Sequence, residues 1–370
     1  MKERFEVLDI FRGLFSSLVV LFHMSAFSAT PVINNNFVYN ADLFVDFFFV
    51  LSGFVISYSY QYIESGEQLG RFFKKRFFRL YPLHLIVLLL FVGIELSKHF
   101  AAQYVQVNKI DNAANNTTTF FTNLFLLNSV KMPGVNDVSW NIASWSISAE
   151  MIAYLVFGLT MLFINKSKLF AARNVVYILI VVTAFGLLFY LTQSTELTYT
   201  FNYGFLRGIA GFFTGVLCFN AYNYLKTWLR PLPNALFSFL EIAALAITFA
   251  FVWHGDIFKQ YGYVFELLFF VTILIFAFEK GWLSAMLKKP RILHETGKLS
   301  YSIYMIHTLI LSLFNIAFIR VLKLPPSAYA YLFVLNYLII FWLSRWTFKH
   351  IEMRFNLSTR REGKRTWWLW

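Results

Sequence analysis

The sequence predicts an all-α fold, a polytopic transmembrane helix bundle of about ten spans with both termini cytoplasmic. Three observations predict it. Hydrophobic residues make up 58% of the chain and charged residues 14%, against about 45–50% and about 25% in soluble domains. The 46 Phe, 20 Tyr and 10 Trp exceed what a soluble core of this size needs but suit lipid-facing walls and interfacial belts. Apolar runs near the ~20 residues that cross a bilayer recur along the chain, and the cations fall between them. A net charge of +13 placed in that way reads as a membrane-topology signal, and nucleic acid is not an expected partner.

The runs lie near 8 to 29, 43 to 63, 80 to 97, 143 to 165 and 174 to 192, then near 203 to 222, 235 to 254, 261 to 279, 299 to 319 and 328 to 348. With the amino terminus inside, alternation places roughly 23 of the 32 Lys and Arg on the cytoplasmic side. An odd number of spans would put the basic residues after 348 (Lys349, Arg354, Arg360, Arg361, Lys364, Arg365) outside. The expected organisation is one membrane domain over 1–348 and a basic cytoplasmic tail over 349–370. A long outer segment near 98–142 carries an apolar stretch, Phe120 to Leu127, too short to span; it reads as interfacial or re-entrant. The first run also has features of a secretory signal peptide, with Lys2 and Arg4 before an apolar core and small residues at Ala26, Ser28 and Ala29. Asp9 and Arg12 beside that core argue for a retained helix.

Ionisable residues inside a span cost several kcal/mol and mark functional positions. His23 follows Arg12 by eleven residues, about 16 Å along one helix, so Arg12 lies near the cytoplasmic end and His23 toward the outer half. On position alone His23 is either an interfacial histidine or a general base. Asp46 opens the second run from outside and Glu150 enters the fourth at similar depth; either carboxylate could orient the histidine ring, and Asp46 could equally serve the helix dipole. Arg207 leads a stretch with Gly208, Gly211 and Gly215 on one helix face, a close-packing pattern, and could pair with Glu150 or Asp46. On the cytoplasmic side Arg71, Lys74, Lys75, Arg76 and Arg79 crowd the entrance to the third run. Arg76 and Arg79 share a helical face and could clamp a phosphate; the alternative is an anionic-lipid patch. Cys218, the one cysteine, reads as a small buried hydrophobe. His84, His307, Glu95, Glu241 and Glu266 receive no role.

Arg12 and His23 with ten residues between, the Asp46 to Phe54 stretch, and Arg76-x-x-Arg79 followed by Tyr81-Pro82 recur in order with Trp145-Ser146-Ile147-Ser148-Ala149-Glu150. The Arg207 helix and Ser300-Tyr301-Ser302-Ile303-Tyr304-Met305-Ile306-His307 follow. In this order the sequence resembles the acyltransferase-3 family of integral membrane acyltransferases over nearly the whole chain. The resemblance implies transfer of an acyl group, commonly acetyl, from cytoplasmic acyl-CoA to a hydroxyl of an extracytoplasmic carbohydrate or glycolipid, without a metal. It assigns His23 as essential base or acyl carrier, with Asp46 or Glu150 supporting it. Arg76, Arg79 and Arg12 would hold the CoA phosphates, Arg207 would organise the carboxylates, and Trp140 and Trp145 would stack on sugar rings or else belong to an interfacial belt. A bacterial inner membrane, with its lipids as surroundings, is the implied location. A secondary transporter or flippase for a sugar or glycolipid is the alternative, although the inverted repeats and paired broken helices common in such proteins are not evident.

Overall fold

In the computed structural model, residues 4–101 and 112–357 are described. Ten principal helices organise them: α1 (Glu6–Ser25), α2 (Phe44–Ser59), α3 (Gly66–Ala101), α4 (Trp145–Lys166), α5 (Arg173–Thr192), α6 (Gly204–Leu229), α7 (Asn234–Trp253), α8 (Gly262–Phe276), α9 (Arg291–Asn315) and α10 (Tyr329–Thr347). Among the described residues, nine helical stretches are long and apolar enough to cross a membrane, and α8 is a shorter apolar helix. The protein is an all-α, polytopic membrane protein. At 15 residues α8 is about 22 Å long, short of the ~30 Å hydrocarbon core, so the expected run 261 to 279 forms a helix but a truncated one.

Loop contacts fix which ends share a face. Where α1 begins, the Val7 amide donates to Glu279 Oε1 at 2.8 Å, beyond the end of α8. Asn165 at the end of α4 donates to the Ile63 carbonyl between α2 and α3. At the opposite end Lys259 binds Asp42 at 2.7 Å, and the Gly262 amide donates to the Thr195 carbonyl. These are termed the first and second faces.

The basic segment 71 to 79 is not a connection before the third span, as the sequence reading placed it, but the opening turns of α3. That helix runs 36 residues without a break, with Pro82 inside it. Proline deletes one intrahelical hydrogen bond, and the helix is tied to the loop on either side of it: Tyr81 donates to the Leu124 carbonyl at 2.9 Å and His84 Nε2 to the Asn123 carbonyl at 2.9 Å. At about 54 Å α3 exceeds any bilayer. The apolar stretch near 120 folds as a short helix, Thr117–Leu124, with Asn116 and Thr119 forming a reciprocal cap. Past α10, a π turn (Phe348–Glu352) and Met353–Phe355 continue the helix; residues 358–370, most of the expected tail, lie outside the described residues.

Glycines set the closest helix crossings. A Cβ at Gly215 of α6 would lie 1.8 Å from the Val50 carbonyl oxygen of α2, and one at Gly53 of α2 would lie 1.8 Å from that of Phe212. Gly13 and Gly297 bring α1 against α9 in the same way, with Gly297 N 2.4 Å from a Cβ built on Gly13. Gly208 meets Ala149 and Gly211 meets Phe49. The small-residue face of the Arg207 helix is therefore a packing surface. Phenylalanines fill the remaining interior, Phe15 stacking on Phe44 and meeting Phe47 edge-on.

Candidate active site

One cavity opens among α1, α2, α3, α4 and α9. It gathers the three arginines expected to hold phosphates, Arg12, Arg76 and Arg79, while Arg207 does not line it. The α1–α9 glycine contact allows the Arg12 guanidinium to reach across, where Nε donates to Ser300 Oγ at 2.7 Å and an Nη to the Gly297 carbonyl at 3.0 Å. Arg76 is 2% exposed; it donates to the Tyr60 hydroxyl at 3.1 Å and lies over that ring. Arg79, one turn on, lines the same space, as expected for residues three apart on a helix.

Along α2 the cavity wall extends from Ile56 back to Val45, about 16 Å of helix. Arg76 meets Tyr60 just past the first-face end of α2, so the cationic end lies toward that face. At the other end are Val45, Phe48, Ser146 and Tyr304. Glu150 projects into the space between, accepting from Ser52 Oγ at 2.6 Å and from the Tyr154 hydroxyl.

The expected carboxylate partner of His23 is not a carboxylate. Asp46, fully buried, is held bidentately by Arg207, with Nε and an Nη each 2.7 Å from its oxygens. A buried charge requires such pairing, which leaves Asp46 no freedom to orient an imidazole. Glu150 is engaged with Ser52 and Tyr154. The ring beside His23 belongs instead to His307 of α9, whose Nε2 is 3.2 Å from His23 Nδ1. His307 has a second contact, Nδ1 to the Tyr304 carbonyl at 2.6 Å, and His23 Nδ1 also lies 3.0 Å from the Val19 carbonyl.

Carbonyl oxygens only accept, so these contacts determine both neutral tautomers. His307 carries its proton on Nδ1 and offers the Nε2 lone pair; His23 carries its proton on Nδ1, shared between Val19 and His307. These contacts leave the Nε2 lone pair of His23 uncommitted, and the two histidines lie beside the arginine cavity, beyond Tyr304, rather than among its lining residues. The sequence showed His307 only as an intramembrane histidine without a role. Its spacing of three from Tyr304 was the available signal that these two side chains share a helix face.

Arg207 does select Asp46 from the two partners considered, and its guanidinium also covers Trp145 at 5.0 Å. Trp145 is 8% exposed and packs on Gly204 and Phe49. Trp140 is pinned by the Asn115 side chain at its amide and by Thr119 at its indole nitrogen. Cys218 is buried. Glu241 accepts from the Gly281 and Ser284 amides and the Ser284 hydroxyl, joining α7 to the loop after α8. Among the described residues no group of three His, Cys, Asp or Glu side chains is placed to hold a metal.

The acyltransferase-3 family model, described as an acyltransferase domain, matches residues 5–345. The chain belongs to this family. A curated relative, "Protein 2 in picA locus" from Rhizobium radiobacter, is 35% identical over 105 residues, covering 28% of this chain. The chain spans about half, 49%, of the length of that relative. No solved structure matches the chain significantly. The chain is thus a multi-pass membrane protein of this family, and the matched region contains the arginine cavity, both histidines and the Asp46–Arg207 pair.

Proposed function

We propose that this acyltransferase moves an acyl group, acetyl in the first instance, from acyl-CoA at the first face to a hydroxyl of a carbohydrate or glycolipid at the second. The first face would be cytoplasmic and the membrane a bacterial inner membrane. The observation that carries this reading is the convergence of Arg12, Arg76 and Arg79 in one cavity that leads toward the second face. Guanidinium groups from two helices suit the phosphates of CoA, while the far end, with Val45 and Phe48 on its wall, suits a pantetheine arm and its thioester.

On this reading His23 Nε2 takes the proton of the acceptor hydroxyl. The oxygen bonds to the thioester carbon, the C–S bond breaks, and the proton passes to the departing thiolate. The same lone pair could first receive the acyl group, and labelled acyl-imidazole trapped in the absence of acceptor would identify that route. The His23 cation formed in either case keeps its Nδ1 proton against the Val19 carbonyl and His307 Nε2. Asp46 then serves as counter-ion of Arg207, and the Glu150–Tyr154–Ser52 group lines the path of the donor.

The test is transfer of labelled acetyl from acetyl-CoA supplied at the cytoplasmic face of membrane vesicles. Wild type should label glycan. His23→Gln should lose about 10²–10⁴-fold in rate, the usual worth of a general base. Arg76→Ala/Arg79→Ala should raise the acyl-CoA requirement by roughly 10–100-fold, since hydrogen bonds to charged groups contribute about 1.5–3 kcal/mol. Wild-type rates in the His23 variant would remove the catalytic assignment.

A further inference from the structure

Tyr304 stands where the donor cavity meets the histidine pair, and no role has been given to it above. Its ring is on the cavity wall at the end away from the arginines. Its backbone carbonyl accepts from His307 Nδ1 at 2.6 Å, its ring centroid is 5.8 Å from that of His307, and its hydroxyl accepts from Ser146 Oγ at 2.8 Å. One residue therefore touches the space that would receive the thioester and the pair that would supply the base.

The hydroxyl geometry has a chemical consequence. Ser146 has one hydrogen and two acceptors in reach, the Tyr304 oxygen and the Ala143 carbonyl at 3.1 Å. When Ser146 donates to Tyr304, the phenolic hydrogen has no acceptor among the described residues and is available to the cavity. When Ser146 turns to Ala143, Tyr304 can donate to Ser146 instead. Rotation of two hydroxyls switches between these states without moving a heavy atom. A carbonyl arriving in the cavity would favour the first, in which Ser146 polarises the phenol it donates to.

We propose that Tyr304 is a catalytic residue, the hydrogen-bond donor to the thioester carbonyl oxygen. As the acceptor oxygen adds to the carbonyl carbon, the π electron pair moves to that oxygen and meets the Tyr304 O–H. When the tetrahedral centre collapses, the pair returns, the C–S bond breaks and the thiolate takes the proton held on His23 Nε2. Such a donor is aimed at charge that develops only in the transition state and acts in a site from which water is largely excluded. It contributes to turnover and little to donor binding. This inference rests on the donor and base assignments proposed above.

The experiment compares wild type, Tyr304→Phe and Ser146→Ala for acetyl transfer and, separately, for equilibrium binding of acetyl-CoA. Tyr304→Phe should lower kcat by about 10²–10³-fold, as loss of one oxyanion donor does, with affinity for acetyl-CoA within about twofold of wild type. Ser146→Ala keeps the phenol and should lose only about 3–10-fold, the worth of a neutral hydrogen bond. Equal turnover in wild type and Tyr304→Phe overturns the Tyr304 role alone; wild type that binds no acyl-CoA overturns the donor reading beneath it. If Tyr304→Phe does not fold, infrared difference spectra of acetyl-CoA, ¹³C-labelled at the carbonyl and bound to wild type, decide the matter. A carbonyl stretch lowered from its value in solution supports the hydrogen bond, and an unshifted band refutes it.

Discussion

Glu279 lies at the first face, outside the membrane-crossing helices, and shows how a single carboxylate couples chain geometry to pH. Burial raises its pKa above the ordinary carboxylate value, opposed by the Val7 amide and by Lys288 at 3.2 Å. A carboxyl whose folded pKa exceeds its unfolded one is protonated more readily in the native state. Its favourable contribution is therefore full below the unfolded pKa and is lost as pH rises through the folded value. Glu279→Gln keeps an acceptor for Val7 and removes the titration. Thermal unfolding in detergent across that pH window should show a shallower decline for Glu279→Gln than for wild type, and parallel curves would exclude Glu279 as the source. The candidate site residues divide at this same scale. Arg76 and Arg79 were legible because a spacing of three fixes a shared face. The His23–His307 contact was not, because it joins residues 284 apart in sequence, and periodicity gives the face of a helix without naming its neighbour. For Asp46, charge, depth and Arg207 as one possible partner were readable, but its choice of Arg207 over His23 is a property of the crossing between α2 and α6.

At the scale of elements, apolar length predicted where helices lie, while breaks in hydropathy misplaced some of their ends. The cationic opening turns of α3 look like a loop to a hydropathy reading, but nothing between Gly66 and Tyr81 interrupts a helix, and Pro82 removes only one hydrogen bond. The glycine face of α6 was legible as a packing surface; the partner, Gly53 of α2, emerges only when the two backbones are placed together. That crossing sets the relative position of Ser52, which holds Glu150, and of Asp46, which holds Arg207. Adding a Cβ at Gly215 requires one backbone to move, because the obstacle is the Val50 carbonyl rather than a flexible side chain. Gly215→Ala should destabilise by about 1–3 kcal/mol, the usual cost of overpacking. Gly93→Ala on α3, where a new Cβ meets nothing within 4 Å, should be neutral or gain about 0.5–1 kcal/mol from helix propensity. Thermal unfolding of the purified variants compares them. Equal midpoints for the two would mean that the α2–α6 crossing is looser than these contacts require.

For the whole molecule the decisive property is sidedness, because the cavity is asymmetric. Its arginines lie toward the first face and its apolar end toward the second, so the proposed donor, a cytoplasmic acyl-CoA, can use it only if the first face is inside. The cations agree: Lys166, Lys168 and Arg173 at the α4–α5 turn, Lys226 and Arg230 after α6, and Lys280 to Lys298 before and within α9 all belong to first-face connections or their adjoining helix ends. Cys218 is the chain's one cysteine and is buried, so the wild type is a nearly silent background for thiol labelling. Val32, in the second-face loop between α1 and α2, and Glu64, in the first-face turn before α3, are both exposed. A membrane-impermeant maleimide added to intact cells should label Val32→Cys and leave Glu64→Cys unlabelled until the cells are broken. The inverse pattern would place the arginine end of the cavity away from the CoA pool and so refute the donor route together with the orientation.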